Sequence, residues 1–294
     1  MFTSILVGLD GSQEAQVALA QAIIIGRRFH SRILIAHVSP PRGRTGEMAL
    51  GAPWMEWTPA TAPDNREELE EAAATMVADA AGAVRRAGLE AQTIMRTGVA
   101  FEVLRELAEE VGAVVVGRIG TRGSMAPPQP DTLGPDTREL IRRSPRPVLV
   151  SGPRPTEMDR ILVAYAGGPV SEATLTFASR FAGITGAHLD VLHVATDAEA
   201  GRQLLARASS ALSLAALDFE THFLEGELES AIPDAVRRLG SNAFFAGAHR
   251  EEASWMVPSH MQVILRHTDI PVLIHMQPAS AGARLSAAHR RSPY

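Results

Sequence analysis

The chain contains no cysteine. Disulfides, thiol nucleophiles and thiolate metal sites are therefore excluded. It has no apolar run of about 18 residues, so no membrane-spanning helix is expected. The opening stretch, MFTSILVGLDGS, lacks the charged region and long apolar run of a secretory signal; the expected address is the cytoplasm. Basic charge is not in excess either. A net charge of −5 argues against a nucleic-acid binder, whose footprint would be positive. Also missing are the Gly-x4-Gly-Lys-Ser/Thr phosphate loop, the His-Glu-x2-His metal helix and the Gly-x-Ser-x-Gly nucleophile elbow, and no metal site is expected. What remains is 294 residues, 46% hydrophobic and 21% charged, the balance of a soluble protein of two ordinary domains.

Much of that content is stated twice. ILVGLDG, starting at Ile5, returns as ILVAYAG starting at Ile161, and the His37-Val38 pair returns as His193-Val194. AVVVG at Ala113 returns as AFFAG at Ala243, and RPVLV at Arg146 returns as IPVLI at Ile270. Each landmark is a short apolar, β-branched run, the signature of a parallel strand covered on both faces. Helical patterns lie between them at 13–28, 66–87, 101–111 and 136–143, and again at 170–183, 228–239 and 259–267. Further strands fall at 91–97 and 218–224. The expected fold is α/β: two tandem, doubly wound, five-stranded parallel-sheet domains. The first spans 1–150 and the second 159–276; the tail 277–294 is small, polar and expected to be disordered. A long connection, 39–65, carries Trp54 and Trp57 and reads as packed loop, lid or partner contact.

The glycines past the fourth strand carry the candidate chemistry. Gly117 and Gly120 follow the strand end directly, and Gly134 precedes a helix that opens on Pro135 and Asp136. Glycine lets backbone amides approach a phosphate, and a helix N-terminus favours an anion. Arg118 and Arg122 bring positive charge, and Thr121 and Ser124 bring hydroxyls. A plain strand-to-helix bend is the competing reading. So too, Asp10 and Ser12 precede a helix and suit a cap. His37 and His193 recur at matching strand ends, which points to shared architecture before catalysis.

Taken together, LDGSQEA from Leu9, Gly117-x2-Gly120, Gly134 and SPRPVLV from Ser144 resemble the universal stress protein family, here as two domains in tandem. That resemblance implies a regulatory protein of the stress response that is not an enzyme, or at most a slow ATPase. It also implies ATP, with or without Mg²⁺, across the C-terminal strand ends of the first domain. Gly8, Leu9 and Asp10 would border the nucleoside, and Val38 would offer its main chain to adenine. Val116, Gly117, Ile119 and Gly120 would flank ribose and phosphates, with Gly134, Pro135 and Asp136 at the far phosphates. Two departures stand out. The segment from Gly120 to Gly134 is longer than the family's, and Pro135 replaces the family's Ser or Thr, removing a hydroxyl and an N–H. In the second domain Ala166 replaces Asp10, and Arg250 and Pro258 fall at the later glycines, so that half is expected not to bind ATP. The family's habit of joining domains through their last strands implies an intramolecular pseudo-dimer. A homodimer and an unidentified protein partner remain open. Two rival readings are a nucleotide-free scaffold with both sites decayed, and an enzyme using Asp10 as acid or base.

Overall fold

The computed structural model describes residues 2–40, 66–121, 133–248 and 259–276. The expectations placed on Trp54, Trp57, Arg122, Ser124, Arg250, Pro258 and the 277–294 tail lie outside the described residues.

The first half runs β1 (Ser4–Gly8), α1 (Gln13–Phe29), β2 (Arg32–Ser39), α2 (Arg66–Arg86), β3 (Ala91–Thr97), α3 (Ala100–Leu107), β4 (Ala113–Val116), α4 (Pro135–Arg143) and β5 (Val148–Val150). The second runs β6 (Arg160–Ala164), α5 (Gly168–Thr185), β7 (His188–Val194), α6 (Ala198–Leu214), β8 (Phe219–Leu224), α7 (Leu228–Leu239), β9 (Ala243–Ala248), α8 (Ser259–His267) and β10 (Val272–Met276). The helices and strands fall where the apolar patterns put them, with one addition. Helix α6 was not singled out by periodicity. Its buried face is Gly201, Leu205, Ala208 and Leu212, a narrow stripe half made of small residues.

All ten strands join one sheet in the order β3-β2-β1-β4-β5-β10-β9-β6-β7-β8. Each half is parallel throughout, and the junction between β5 and β10 is antiparallel. Val150, Leu149 and Val148 face Val272, Leu273 and Ile274 there, all buried. Each half thus covers the apolar edge that the other would expose. Alternation of side chains splits the core into two layers. Ile5, Val7, Ile161 and Val163 point into one, with α1, α2, α5 and α6. Leu6 and Leu162 point into the other, with α3, α4, α7 and α8.

The halves also meet through side chains. Phe2 and Phe29 of the first half pair at 4.8 Å between centroids; across the seam Phe2 meets Phe177 and Phe181, and Phe29 meets Phe181, edge-on or tilted at 5.2–6.0 Å. Phe245 on β9 closes the group. The connection between halves is pinned, not loose. The fully buried Gln21 of α1 grips Thr156 of the connection at both its N–H and C=O, at 2.8 and 2.9 Å.

His275 on β10 lies against the Phe177 ring at 6.4 Å, and its Nδ1 is buried without a partner. Burial holds its pKa below the ordinary 6.5. An unfolded chain then binds the proton more readily than the folded one, so stability is complete above about 6.5 and falls as pH drops through the folded value. Thermal melts between pH 7.5 and 4.5 should show this loss, and His275→Leu should remove that component. Equal slopes in the two proteins would refute it.

Candidate functional site

Strand order reverses between β1 and β4. From β1 the chain winds outward through β2 and β3; from β4 it winds the other way through β5. Ligand crevices in open parallel sheets form beyond the carboxyl ends of strands at such a reversal. A cleft of about 200 Å³ opens at this point. All eleven residues singled out from sequence line it: Gly8, Leu9, Asp10, Val38, Val116, Gly117, Ile119, Gly120, Gly134, Pro135 and Asp136. The structure adds an apolar floor of Ala36, Ala100, Leu104 and Leu140, together with His37, Ser12, Thr121 and Thr137.

Each group is held by local chemistry. Ser12 is the N-cap of α1 and accepts the Ala15 N–H at 3.1 Å. Asp10 does not cap the helix. Its Oδ1 accepts from the Ser12 N–H at 3.0 Å and the Ser12 hydroxyl at 2.7 Å. Its Oδ2 accepts from the Thr121 N–H at 2.7 Å and the Thr121 hydroxyl at 3.3 Å. The carboxylate therefore latches the end of β1 to the loop after β4. His37 donates from Nδ1 to the Leu9 carbonyl at 2.8 Å, and His193 does the same to Tyr165 at 2.8 Å. A carbonyl can only accept, so Nδ1 carries the proton in both rings. The paired histidines are strand-end braces, as their recurrence suggested.

The glycines owe their identity first to packing. A Cβ on Gly117 would lie 2.7 Å from Glu14 Cβ and 3.0 Å from the Glu14 backbone carbon, inside α1. Gly247 has the same role: a Cβ there would meet Val170 Cγ1 at 2.6 Å on α5. A Cβ on Gly120 would strike Asp10 Oδ2 at 2.4 Å. Gly134 donates its N–H to the Arg118 carbonyl at 2.8 Å and caps α4 through its backbone, with no side-chain hydrogen bond. Thr137, one turn into α4, donates its hydroxyl to the Gly117 carbonyl at 3.0 Å. Pro135 sits in the first turn of α4, the position that tolerates a missing N–H.

Arg118 is not a phosphate ligand. Its guanidinium crosses to the second half and donates to the carbonyls of Leu265 in the last turn of α8, of Thr268 and Ile270 beyond it, and of Ser151. Burial lowers its pKa, with Asp269 opposing. A cation at a helix C-terminus meets the negative end of the dipole. Sequence placed this charge at the cleft because the location of the other half was not legible.

The second half closes the same place differently. Only three residues separate β7 from α6, so α6 lies down over the strand ends. A Cβ on Gly201 would meet Phe223 at 2.4 Å and His193 at 2.9 Å, and one on Gly167 would meet Leu204 at 2.9 Å. Ala166 offers no carboxylate; its N–H is taken by the Ser171 hydroxyl at 3.2 Å. Beneath, the Tyr165 hydroxyl donates to Glu172. Burial first, then Glu172, pushes the Tyr165 pKa up to about 12.

Comparison with known proteins agrees with this geometry. The family model "Universal stress protein family" matches residues 1–151 and again 157–275. Universal stress protein Slr1230 of Synechocystis is 25% identical over 92% of this chain and 98% of its own. A universal stress protein structure from Archaeoglobus fulgidus superposes with a TM-score of 0.75 at 17% identity, covering 93% of this chain and 96% of that one. A putative universal stress protein from Pseudomonas aeruginosa gives 0.64 at 19% identity, covering 99% and 98%. Among the described residues, no helix is long and apolar enough to cross a membrane. With both halves matched and the tandem sheet in place, the chain belongs to the universal stress protein family as a two-domain member.

Proposed function

We propose that this protein is a nucleotide-responsive regulator that binds ATP in its N-terminal half alone. One observation carries the reading: four separate segments bring every anticipated residue to one cleft at the point of strand-order reversal. Adenine fits the apolar floor of Ala36, Ala100 and Leu104, with the Val38 main chain at its edge. Ribose lies against Leu9 and the Gly117 to Gly120 turn. The phosphates face the N-terminus of α4, whose dipole favours an anion. The enclosed volume is below the roughly 300–1,000 Å³ of small-molecule sites, so the triphosphate extends along the mouth. Asp10 and Asp136 both line that mouth, and Mg²⁺ would screen them from the phosphates. In the second half α6 covers the corresponding strand ends, which supports one nucleotide per chain. An enzymatic role for Asp10 is disfavoured, because four donors already occupy its carboxylate oxygens. Occupancy of the cleft would be read by a protein partner.

A second reading has its own observation. The Thr121 amide, well placed for a phosphate, is already spent on Asp10, as in a nucleotide-free interaction protein whose cleft is closed by its own side chain. Calorimetric titration with Mg-ATP separates the two. The expected result is about one equivalent bound, abolished by Ala100→Phe, which fills the floor while leaving the melting temperature near wild type. Gly117→Val is a poor probe, since it would push on α1 and unsettle the fold. No heat of binding, with no nucleotide released from the purified protein on denaturation, would favour the second reading.

A further inference from the structure

Away from the cleft, adjacent strands at the far edge of the second half bring imidazoles and carboxylates onto one face. His188 and Asp190 alternate along β7, and Glu220 and His222 alternate along β8, with Asp190 opposite Glu220 in register. Ligand atoms of His188, Asp190 and Glu220 all lie within 4.8 Å of one another. Asp190 is fully buried, a costly place for a carboxylate unless cations or donors surround it. Arg160 meets it with Nε at 2.9 Å on Oδ2 and Nη2 at 3.1 Å on Oδ1.

The histidines make the arrangement more than an ion pair. His188 donates from Nδ1 to Asp218 Oδ2 at 2.9 Å. That bond leaves Nε2 as the free ring nitrogen, and Nε2 is buried without a hydrogen-bond partner. It faces Asp190 Oδ1 at 3.4 Å. A lone pair this close to a carboxylate oxygen is repulsive unless a cation lies between them. His222 Nε2 sits 2.8 Å from the same oxygen and 3.8 Å from Glu220 Oε2. Tetrahedral zinc, with bonds of about 2.0–2.1 Å, needs neighbouring ligand atoms roughly 3.3 Å apart. The three separations bracket that value.

We propose that His188, Asp190 and Glu220, with His222 as fourth donor, form a binding site for a divalent transition metal of the zinc class. A nitrogen and carboxylate set of this kind suits zinc, cobalt or nickel and not the oxygen-only shells of calcium or magnesium. On binding, the His222 ring proton moves from Nε2 to Nδ1, and the freed Nε2 lone pair takes the metal in place of the bond to Asp190. Asp218 holds the His188 ring and Arg160 holds Asp190, the outer partners that metal ligands ordinarily have.

The test uses the full chain after treatment with a chelator. Zn²⁺ is titrated calorimetrically, and Co²⁺ is followed by visible absorption. The expected result is about one equivalent and a tetrahedral cobalt band. His188→Ala should abolish binding. Asp218→Asn and Glu220→Gln, both at exposed residues that leave the fold intact, should weaken it about tenfold or more. Absence of binding, or binding that is unchanged in both exposed variants, would overturn the site.

Discussion

Phe181→Ala should lower stability by about 3–5 kcal/mol, the range for deleting a fully buried aromatic ring. The ring is wholly inaccessible and touches Phe2, Phe29 and Phe245. Phe2 and Phe29 belong to one half and Phe181 and Phe245 to the other. The substitution therefore opens a cavity in the seam between halves, not in the interior of either. Only three residue pairs connect the sheets at β5 and β10, so the aromatic group supplies much of the apolar seal. Chemical denaturation measures the loss. A double-mutant cycle with Phe29→Ala should give a coupling of about 0.5–1.5 kcal/mol, the contribution of an edge-to-face or tilted pair beyond its area. Strictly additive effects would show that the two rings share no energy and that the seam is held elsewhere.

The seam itself was partly legible in sequence. The edge strands PVLV and PVLI are short, apolar and carry no charge within them, and such edges demand cover. The phenylalanines gave no warning, because Phe2, Phe29, Phe177, Phe181 and Phe245 are scattered in sequence and converge only once the sheets are joined. The strands and most helices were legible for local reasons: β1 and α7, for example, are marked by a short apolar run and by the glycine after Leu239. Helix α6 escaped because much of its contact surface is glycine and alanine, which shrink the apolar stripe so that Gly201 can approach Phe223.

At the cleft, the positions read from sequence come together, and several of their neighbours differ from those expected. Gly117 read as room for a phosphate; the nearest neighbour that excludes a side chain is Glu14 in α1. Its counterpart Gly247 keeps the same packing in the half that has lost the rest of the motif, so the first glycine reports helix–strand contact before it reports a ligand. Asp10 read as a nucleoside contact or a cap, because its bond to Thr121 exists only after the chain has passed through β2, β3 and β4 and returned. The histidine–carboxylate face on β7 and β8 was legible in principle. His-x-Asp and Glu-x-His on neighbouring strands of period two place all four groups together, a signal that helix-based metal motifs do not detect.

Arg118→Ala should cost about 3 kcal/mol. The guanidinium donates to four main-chain carbonyls that belong to β5's exit, the end of α8 and the turn before β10. Bonds from a charged donor contribute about 1.5–3 kcal/mol each before the carbonyls find other partners. Truncation leaves those acceptors without that donor, at a place where the chain must turn from α8 into the junction strand. Lysine should recover less than half, since a single ammonium cannot reproduce the planar fork. Differential scanning calorimetry should register the alanine variant as a fall of roughly 6–12 °C, from about 2–4 °C per kcal/mol in chains approaching this size. The position gives this clamp a further consequence. Arg118 stands between Gly117 and Ile119, both lining the cleft, and its carbonyl accepts the Gly134 N–H at the start of α4. In the other half the equivalent residue, after Gly247, is Ala248, which has no group to send back. Residue 118 thus joins the cleft of the first half to α8 of the second, and Ala248 makes no matching link in return. If nucleotide binds as proposed, Mg-ATP should raise the melting temperature of the wild type more than that of Arg118→Ala, whose halves are no longer tied at this point. An equal rise in both proteins would mean that the clamp stabilises the seam without reading the cleft.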